Sequence, residues 1–411
     1  MQAGRGARRA ALMLGAVVAA VSSAAGAACP PRYEVTAIIE GPDCGEPWGT
    51  AHIAPWGMND RGDVVGWFCC TVGYDHAFVW YNEGDGEGTF VEIPMPPGEY
   101  YSRAYDINND RYVTGWAEIT GSGYGLSGFL YDGQDTTIIE PLPGEIGAEP
   151  QAINDNLDIV GTCGGDRAFL YRDQAMIDLG PKLPGEKSEG CDCNDQGVVS
   201  GWSGPTQFEA RAFLLDGHAV TEFGPIPGGV SSEANALNNL GQFCGQGLLL
   251  EQGDYVLHAL YWNGLEMIDL GVLPGRNFSH GRDLNDAGIV VGDSTVGCCN
   301  QGLAFVWSDG IMWDLNKLTE TGDIGLYYAR AINASGQVLC QGAICGQPVG
   351  VVLGRLEYLC GDVDGDGSVG VLDLLIVLSE WGKDGSCADL NLDGIVDAVD
   401  LLLVLEHWGS K

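Results

Sequence analysis

One phrase recurs seven times through the middle of this 411-residue chain, and it constrains the fold more than any other feature. It runs from a small or polar residue and an aliphatic residue through Asn, often Asp, a spacer and Gly to an aliphatic pair and a closing Gly. The central asparagines, 40 to 49 residues apart, are Asn59, Asn108, Asn154, Asn194, Asn238, Asn285 and Asn333. Such a period is typical of a repeat architecture in which each copy is one supersecondary unit.

Each repeat predicts four strands. The phrase itself predicts a β-hairpin, because two short apolar runs flank a turn of Asn, Asp and Gly. A third strand with an aromatic centre follows, as in HAFVW (76–80) and RAFLY (167–171), and a fourth strand such as IDLG (177–180) usually ends at a Pro-Gly turn. Four strands per repeat favour one propeller blade per repeat.

The two ends of the repeat array complement each other. The seventh repeat has a third strand at 350–353 but no fourth, whereas YEVTAII (33–39) is an unassigned strand ahead of the first repeat. Pairing these ends would close a ring and leave no long edge exposed. We therefore predict a mainly β fold, a seven-bladed β-propeller over 33–354 within a repeat domain of 28–355. An open β-solenoid and a pair of sandwiches remain alternatives.

The third strands carry a family resemblance. Their pattern resembles the extracellular HAF-repeat family, whose His-Ala-Phe stands here at His76, Ala77 and Phe78. The resemblance covers about 56–342 and implies a secreted repeat protein without implying a reaction. Other copies begin this strand with Arg167 or Arg211, so the histidine is not a shared ligand.

A second pattern, made of two acidic loops, begins at Gly361. Alternate residues of each loop offer oxygen ligands, and Gly367 and Gly394 stand at position 6, where such a loop turns sharply. The predicted ligands of the first loop are Asp362, Asp364, Asp366, Ser368 through its carbonyl, and Asp373. Those of the second loop, 27 residues later, are Asp389, Asn391, Asp393, Ile395 through its carbonyl, Asp397 and Asp400. Oxygen ligands at this spacing predict two Ca²⁺ ions.

A helix is predicted after each loop. The apolar spacing places Leu374, Leu378 and Trp381 on one helix face and Leu401, Leu405 and Trp408 on the other helix, so that the two faces can bury each other. The duplicated unit, with Asp at position 12 and no helix before either loop, resembles a type I dockerin domain over 360–411, within a predicted all-α domain of 356–411. The resemblance implies Ca²⁺-dependent attachment to a cohesin-like protein or a cell-surface component.

Two positions depart from that family. Loop positions 10 and 11 hold Val371-Leu372 and Ala398-Val399, where a Ser-Thr pair is frequent among dockerins. A hydrophobic contact surface and simple packing within the module are both open interpretations. The resemblance therefore does not identify a particular cohesin.

The remaining bulk features predict an extracellular protein. Basic residues, an apolar run at 10–20 and Ala25-Gly26-Ala27 predict a signal peptide over 1–27, and no later segment is long enough for a membrane span. All 14 cysteines follow this segment, which favours structural disulfides, and the symmetry of the loops predicts a Cys360–Cys387 bond. A formal charge of −37 without a basic cluster disfavours nucleic acid as a partner.

No group of residues predicts catalysis or an organic cofactor. The stretch 161–165, GTCGG, imitates a nucleophile elbow around Cys163 but lacks the strand-turn-helix context. Structural disulfides are the expected role of the adjacent pairs Cys69-Cys70 and Cys298-Cys299. We therefore expect a non-catalytic binding or scaffold protein, with polysaccharide as a candidate ligand. The alternatives are a polysaccharide-degrading glycoside hydrolase or its accessory and a structural protein of the cell envelope.

Overall fold

The computed structural model describes residues 30–45, 50–70, 74–96, 99–119, 125–251, 253–297, 302–384 and 386–411. The predicted signal peptide lies outside these residues, as do Cys298 and Cys299. Contacts divide the chain into one compact unit, Tyr33–Arg355, and a second that contains Leu356–Lys411. None of the helices within the described ranges has the length and apolar character needed to cross a bilayer.

The first unit is a seven-bladed β-propeller in which every blade is a four-stranded sheet. Blade 1 contains β2 His52–Met58, β3 Val64–Cys69, β4 His76–Gly84 and β5 Glu87–Glu92, and blade 2 contains β6 Glu99–Ile107, β7 Val113–Ile119, β8 Leu126–Tyr131 and β9 Thr136–Ile139. Blade 3 contains β10 Ala148–Ile153, β11 Ile159–Cys163, β12 Arg167–Arg172 and β13 Ala175–Asp178, and blade 4 contains β14 Lys187–Cys193, β15 Val198–Gly204, β16 Arg211–Asp216 and β17 Ala219–Phe223. Blade 5 contains β18 Glu233–Leu237, β19 Phe243–Glu251, β20 Asp254–Trp262 and β21 Met267–Gly271, and blade 6 contains β22 Phe278–Leu284, β23 Val290–Thr295, β24 Leu303–Ser308 and β25 Ile311–Asp314. Blade 7 contains β26 Ile324–Ile332, β27 Val338–Ile344 and β28 Gln347–Leu356 together with β1 Arg32–Ile39.

The strand β1 closes the ring, as the unassigned segment 33–39 predicts. It forms the outer edge of blade 7 beside β28, so the last blade combines both ends of the array. The side chain of Thr36 on β1 donates to the carbonyl oxygen of Val352 at 3.0 Å. Because this pairing joins residues about 300 positions apart, the propeller has no free first or last blade.

The Ala-Phe of the third strands is a packing signature. Ala77, Ala168, Ala212 and Ala304 are fully buried, and the phenylalanine that follows each of them is fully buried as well. The residue before them, such as His76 or Arg167, is only half-buried. This explains why the repeats keep Ala-Phe while the first position varies. The space between blades admits a small side chain next to a large one, whereas the first position reaches solvent.

Each central asparagine first organises its own turn. The side-chain oxygen of Asn238 accepts the backbone N–H groups of Leu240 at 3.0 Å and Gln242 at 2.9 Å. The same two bonds, from the second and fourth residues onward, recur in the turns of Asn59, Asn108, Asn154, Asn194 and Asn285, whereas Asn333 accepts only the fourth-residue N–H, that of Gln337. Ser335 adds a side-chain bond to Asn333 in the seventh turn. Asparagine suits this position because its short side chain bonds to its own backbone two residues on.

The same asparagines then bond to one another in a closed circle. The Nδ2 of each donates to the backbone carbonyl oxygen of the next, at distances of 2.8 to 3.2 Å from Asn59 through Asn333. Asn333 completes the circle by donating to the carbonyl oxygen of Asn59 at 3.4 Å. All seven asparagines are buried. We call this set the asparagine ring.

Three partly buried aspartates, in blades 2, 4 and 6, add bonds to the blade that follows each of them. Asp106, Asp192 and Asp283 each accept the N–H of the following residue and an N–H from the next blade, at 2.7 to 2.8 Å. Burial raises the pKa of Asp106 to about 6, of Asp283 to about 7 and of Asp192 to about 8. These carboxyl groups therefore favour the neutral acid more than an exposed aspartate does.

Three short helices complete the described elements, with single 3-10 turns at Gly180–Lys182 and Gln207–Glu209. Helix α1, Leu315–Leu318, lies in the propeller between β25 and β26. Helices α2, Val371–Ser379, and α3, Ala398–Glu406, belong to the second unit, and each follows one acidic loop as predicted.

The cysteines differ from the sequence-based expectation. A disulfide joins Cys44 to Cys70, but Cys69 beside it is free. The predicted Cys360–Cys387 bond is wrong, because Cys360 is disulfide-bonded while Cys387 is a free, exposed thiol. The free cysteines among the described residues are Cys69, Cys163, Cys191, Cys193, Cys244, Cys340, Cys345 and Cys387.

Several of these thiols act as small apolar side chains within the blades. Cys163, Cys193, Cys244 and Cys340 are buried, so an even cysteine count does not imply full pairing. Burial raises the pKa of Cys163 to about 11, which leaves little thiolate for nucleophilic attack. Cys163 of the GTCGG stretch thus belongs to the hydrophobic core, whereas Gly164 and Gly165 are exposed.

Loss of one ring asparagine should destabilise the propeller far more than loss of its exposed neighbour. We expect Asn238→Ala to lower the free energy of unfolding by at least about 2 kcal/mol, since it leaves two N–H groups and the carbonyl oxygen of Asn285 without partners. Asn239→Ala, in the same turn but exposed, should cost less than about 1 kcal/mol because water replaces its contacts. Denaturant titration of both variants measures the difference, and equal losses would contradict a structural role of the ring.

Candidate metal centre

The first acidic loop, 362–373, is folded around the carboxylate of Asp362. Its two oxygens accept backbone N–H groups of Gly365, Asp366 and Gly367 at 2.9 to 3.1 Å. Gly367, at position 6, has φ of +84°, a left-handed conformation that favours glycine. The loop therefore turns where the calcium-loop pattern requires it.

Asp373 holds the other end of this loop. One oxygen accepts the N–H groups of Val363 and Asp364, and the other accepts that of Gly370 at the start of α2. Burial alone would raise the pKa of Asp373, but these backbone donors hold it below the ordinary value. Position 12 is thus occupied by an ionised carboxylate that faces the loop.

Three carboxylates converge in the first loop. Oxygen atoms of Asp362, Asp364 and Asp373 lie within 4.8 Å of one another. Loss of hydration and the charges of Asp366, Asp373 and Asp362 raise the pKa of Asp364. Like charges this close repel each other, and a divalent cation between them would relieve the repulsion.

The second loop, 389–400, repeats this geometry with one informative difference. Asp400 accepts the N–H groups of Leu390, Asn391 and Asp397, as Asp373 does in the first loop. Asp389 accepts the N–H of Gly394 through Oδ2, but its Oδ1 is buried without a hydrogen-bond partner. A buried carboxylate oxygen without a donor fits a metal ligand. The donor set of both loops, carboxylate, amide and carbonyl oxygen, is the set that Ca²⁺ prefers.

Paired backbone bonds connect the two loops with the chain after each helix. Val369, at position 8 of the first loop, accepts from Gly409 and donates to the carbonyl oxygen of Ser410. Val396, at position 8 of the second loop, makes the equivalent bonds with Gly382 and Lys383. The two halves of the module are therefore interlocked, each loop being tied to the segment that ends the other half.

The helices bury a different face from the predicted one. Val377 and Leu403 with Val404 form the core, whereas Leu378, Trp381, Leu405 and Trp408 are about half exposed. The physical reason is that Asp373 and Asp400 must face their loops, and the residues four positions later share that helix face. The expected burial is therefore wrong for Leu378, Trp381, Leu405 and Trp408, which leave an apolar surface on this module, whereas Leu374 and Leu401 pack against its core.

The second unit contains a match to a known family. Residues 360–407 match the family model of the Dockerin type I domain. This part of the chain is a dockerin domain. Dockerin domains bind calcium and cohesin partners, and both loops and both helices of the module lie within the match. No curated protein sequence matches the chain.

Solved structures resemble the propeller only distantly. The β-propeller domain of the trilobed protease from Pyrococcus furiosus is 10% identical, with a TM-score of 0.47 over 73% of this chain and 93% of that one. YCF48 bound to D1 peptide is 12% identical, with a TM-score of 0.47 over 81% and 99%. U3-55K is 9% identical, with a TM-score of 0.46 over 79% and 99%. The function of the propeller must therefore be argued from its own residues.

Proposed function

We propose that this protein is secreted and that its dockerin domain, ordered by two Ca²⁺ ions, attaches it to a cohesin-like or cell-surface partner. The propeller then serves as a non-catalytic binding module. The observation that carries the proposal is the converging carboxylate set of Asp362, Asp364 and Asp373 in the first loop. The second loop has Asp389, Asn391 and Asp400 at the equivalent positions. A signal peptide over 1–27 and the HAF-repeat resemblance are consistent with this role and remain predictions.

The ligand sets of the two ions follow from the loop positions. In the first loop, Asp362, Asp364, Asp366 and Asp373 supply carboxylates and Ser368 supplies its carbonyl oxygen. In the second loop, the ligands are Asp389, Asn391, Asp393, the carbonyl oxygen of Ile395, Asp397 and Asp400. Each loop therefore brings four carboxylates to one ion, which favours Ca²⁺ over monovalent cations.

The docking surface is proposed to lie at the start of α2. Val371 and Leu372, at positions 10 and 11 of the first loop, are 60% and 59% exposed. Leu375, Leu378 and Trp381 continue this apolar surface along the same half of the module. The equivalent positions of the second half offer less, because Ala398 is small and Val399 is half-buried. An apolar surface of this kind is typical of a protein interaction site.

Calcium binding should separate into two sites. Calorimetry of the intact protein is expected to show two ions bound, with a gain of helix by circular dichroism because the loops position both helices. Asp362→Ala and Asp389→Ala should each remove one ion and leave the other, while the exposed Glu406→Gln serves as a control with two. Uptake of no ion at millimolar Ca²⁺ would refute the proposal.

Docking should depend on both calcium and the first apolar pair. Binding to a panel of purified type I cohesin modules is expected to disappear on chelation, because the loops position α2. Replacement of Val371 and Leu372 by Asp should weaken the binding at least about tenfold, since it places charge in a desolvated contact. The matched replacement of Ala398 and Val399 should have a smaller effect. Binding that survives chelation, or a larger loss from the second pair, contradicts this assignment.

A further inference from the structure

A cavity of about 260 Å³ lies in the propeller where the first strands of all seven blades meet. Every one of these strands carries a β-bulge three residues before its ring asparagine. The seven bulged residues, which all line the cavity, are Trp56, Tyr105, Gln151, Cys191, Asn235, Arg282 and Arg330. Bulges re-aim side chains and are frequent beside functional sites. Here they aim one side chain from each blade at the cavity.

Arginine and aromatic side chains form one side of the cavity. The guanidinium of Arg330 lies 4.3 Å from the ring centroid of Trp56 and 4.8 Å from that of Tyr328. The ring of Trp56 is also 5.5 Å from that of Tyr105. Cation–π contacts fix the guanidinium in place without neutralising its charge.

Arg330 differs from its equivalent in blade 6 by the loss of a carboxylate partner. Arg282, at the same position, pairs with Asp293, whereas Arg330 donates to the neutral Oε1 of Gln341 at 2.7 Å. Gln341 occupies the position in blade 7 that Asp293 occupies in blade 6, eight residues after the ring asparagine. Within the described residues, no carboxylate forms an ion pair with Arg330, and its Nε is buried without a hydrogen-bond partner.

The charge of Arg330 persists despite this environment. Burial and the neighbouring Arg282 lower the pKa of Arg330 to about 9, so the side chain is still cationic at neutral pH. A desolvated cation without a paired carboxylate is unfavourable in the free protein, and the charge of Asp293, which is paired with Arg282, only partly offsets the effect of burial on Arg330. An anionic ligand group would supply the missing partner.

The opposite side of the cavity is suited to hydroxyl groups. Gln151, Asn235 and Glu189 line it, and Glu189 accepts the indole N–H of Trp202 at 3.1 Å. Asp106, Asp192 and Asp283 also line the cavity, but backbone N–H groups bond to both oxygens of each, and their pKa values are raised. A side-chain amide both donates and accepts hydrogen bonds, whereas an ionised carboxylate only accepts them. Both groups can therefore bond to the hydroxyls of a sugar. A cavity of this volume, just below the range of about 300–1,000 Å³ for ligand pockets, suits a single sugar residue rather than several.

We propose that this cavity binds a carboxylate-bearing sugar, that is, a uronic acid residue, through Arg330. The carboxylate pairs with the guanidinium, the hydroxyls bond to Gln151, Asn235 and Glu189, and Trp56 and Tyr105 form the apolar wall. The inference rests on the proposed role of the propeller as a binding module and names its ligand class. It does not depend on the dockerin domain.

Calorimetry of the intact calcium-loaded protein tests the inference with D-galacturonate and D-glucuronate as probes. D-galactose and D-glucose are the size-matched neutral controls, and acetate tests for a simple carboxylate. We expect at least one uronate to bind at least about tenfold more tightly than its neutral counterpart and than acetate, because charge-assisted bonds to Arg are strong. Equal binding of uronate and neutral sugar, or of acetate and uronate, would overturn the inference.

Two variants locate the site. Arg330→Gln removes the charge, and Gln341→Glu keeps Arg330 but gives it an internal partner like that of Arg282. Each should weaken uronate binding at least about tenfold, whereas Arg61→Gln, an exposed arginine in the turn after Asn59, should leave it unchanged. Unchanged binding in Gln341→Glu would overturn the inference. If uronate does not bind but calcium-dependent docking is intact, only the uronate inference is overturned. If docking is lost but uronate still binds, the uronate inference stands.

Discussion

Seven asparagine side chains bond the blades to one another at the centre of the propeller, each donating to the backbone of the next. This ring combines two tasks in one residue type, since Oδ1 shapes the turn while Nδ2 links it to the neighbouring turn. The blade geometry depends on it, because it is the hydrogen-bonded link that recurs between every pair of neighbouring blades, whereas the bonds of Asp106, Asp192 and Asp283 join only three of these pairs. Strand β1 performs the same closure at the outer edge, where the last blade takes its fourth strand from the start of the array.

Much of this architecture can be predicted from local chemistry. The turn phrase, the Ala-Phe strand and the unassigned segment 33–39 all identify the blades, because each reports a periodic constraint that recurs in every copy. Side-chain pairing across blades is different. Asp106, Asp192 and Asp283 recur only in every second repeat, and their partners lie on the next blade. The Cys44–Cys70 bond links residues whose proximity appears only after folding, and it has no periodic signal in the sequence.

The candidate sites divide in the same way. Loop spacing predicts the calcium residues because alternate residues of one tight turn form the whole site. The cavity of the propeller takes one residue from each of seven strands, so its composition is visible only when the repeats are aligned on the ring asparagines. Such an alignment matches Arg330 with Arg282 and Gln341 with Asp293. The sequence therefore does contain the information that Arg330 lacks the carboxylate partner of Arg282. Exposure of Trp381 and Trp408 follows instead from the inward-facing Asp373 and Asp400, a constraint that apolar spacing alone does not reveal.

These features describe a propeller ring closed by its own side chains and a dockerin domain that we propose is ordered by calcium. Hydrogen–deuterium exchange of the intact protein, with calcium and after chelation, tests this account most directly. We predict that the backbone amides bonded to the ring asparagines stay protected in both conditions, because their partners are protein atoms. Amides of the loops 362–373 and 389–400 should exchange at least about tenfold faster without calcium. Rapid exchange in the seven turns with calcium present, or loops that are indifferent to chelation, would contradict the account.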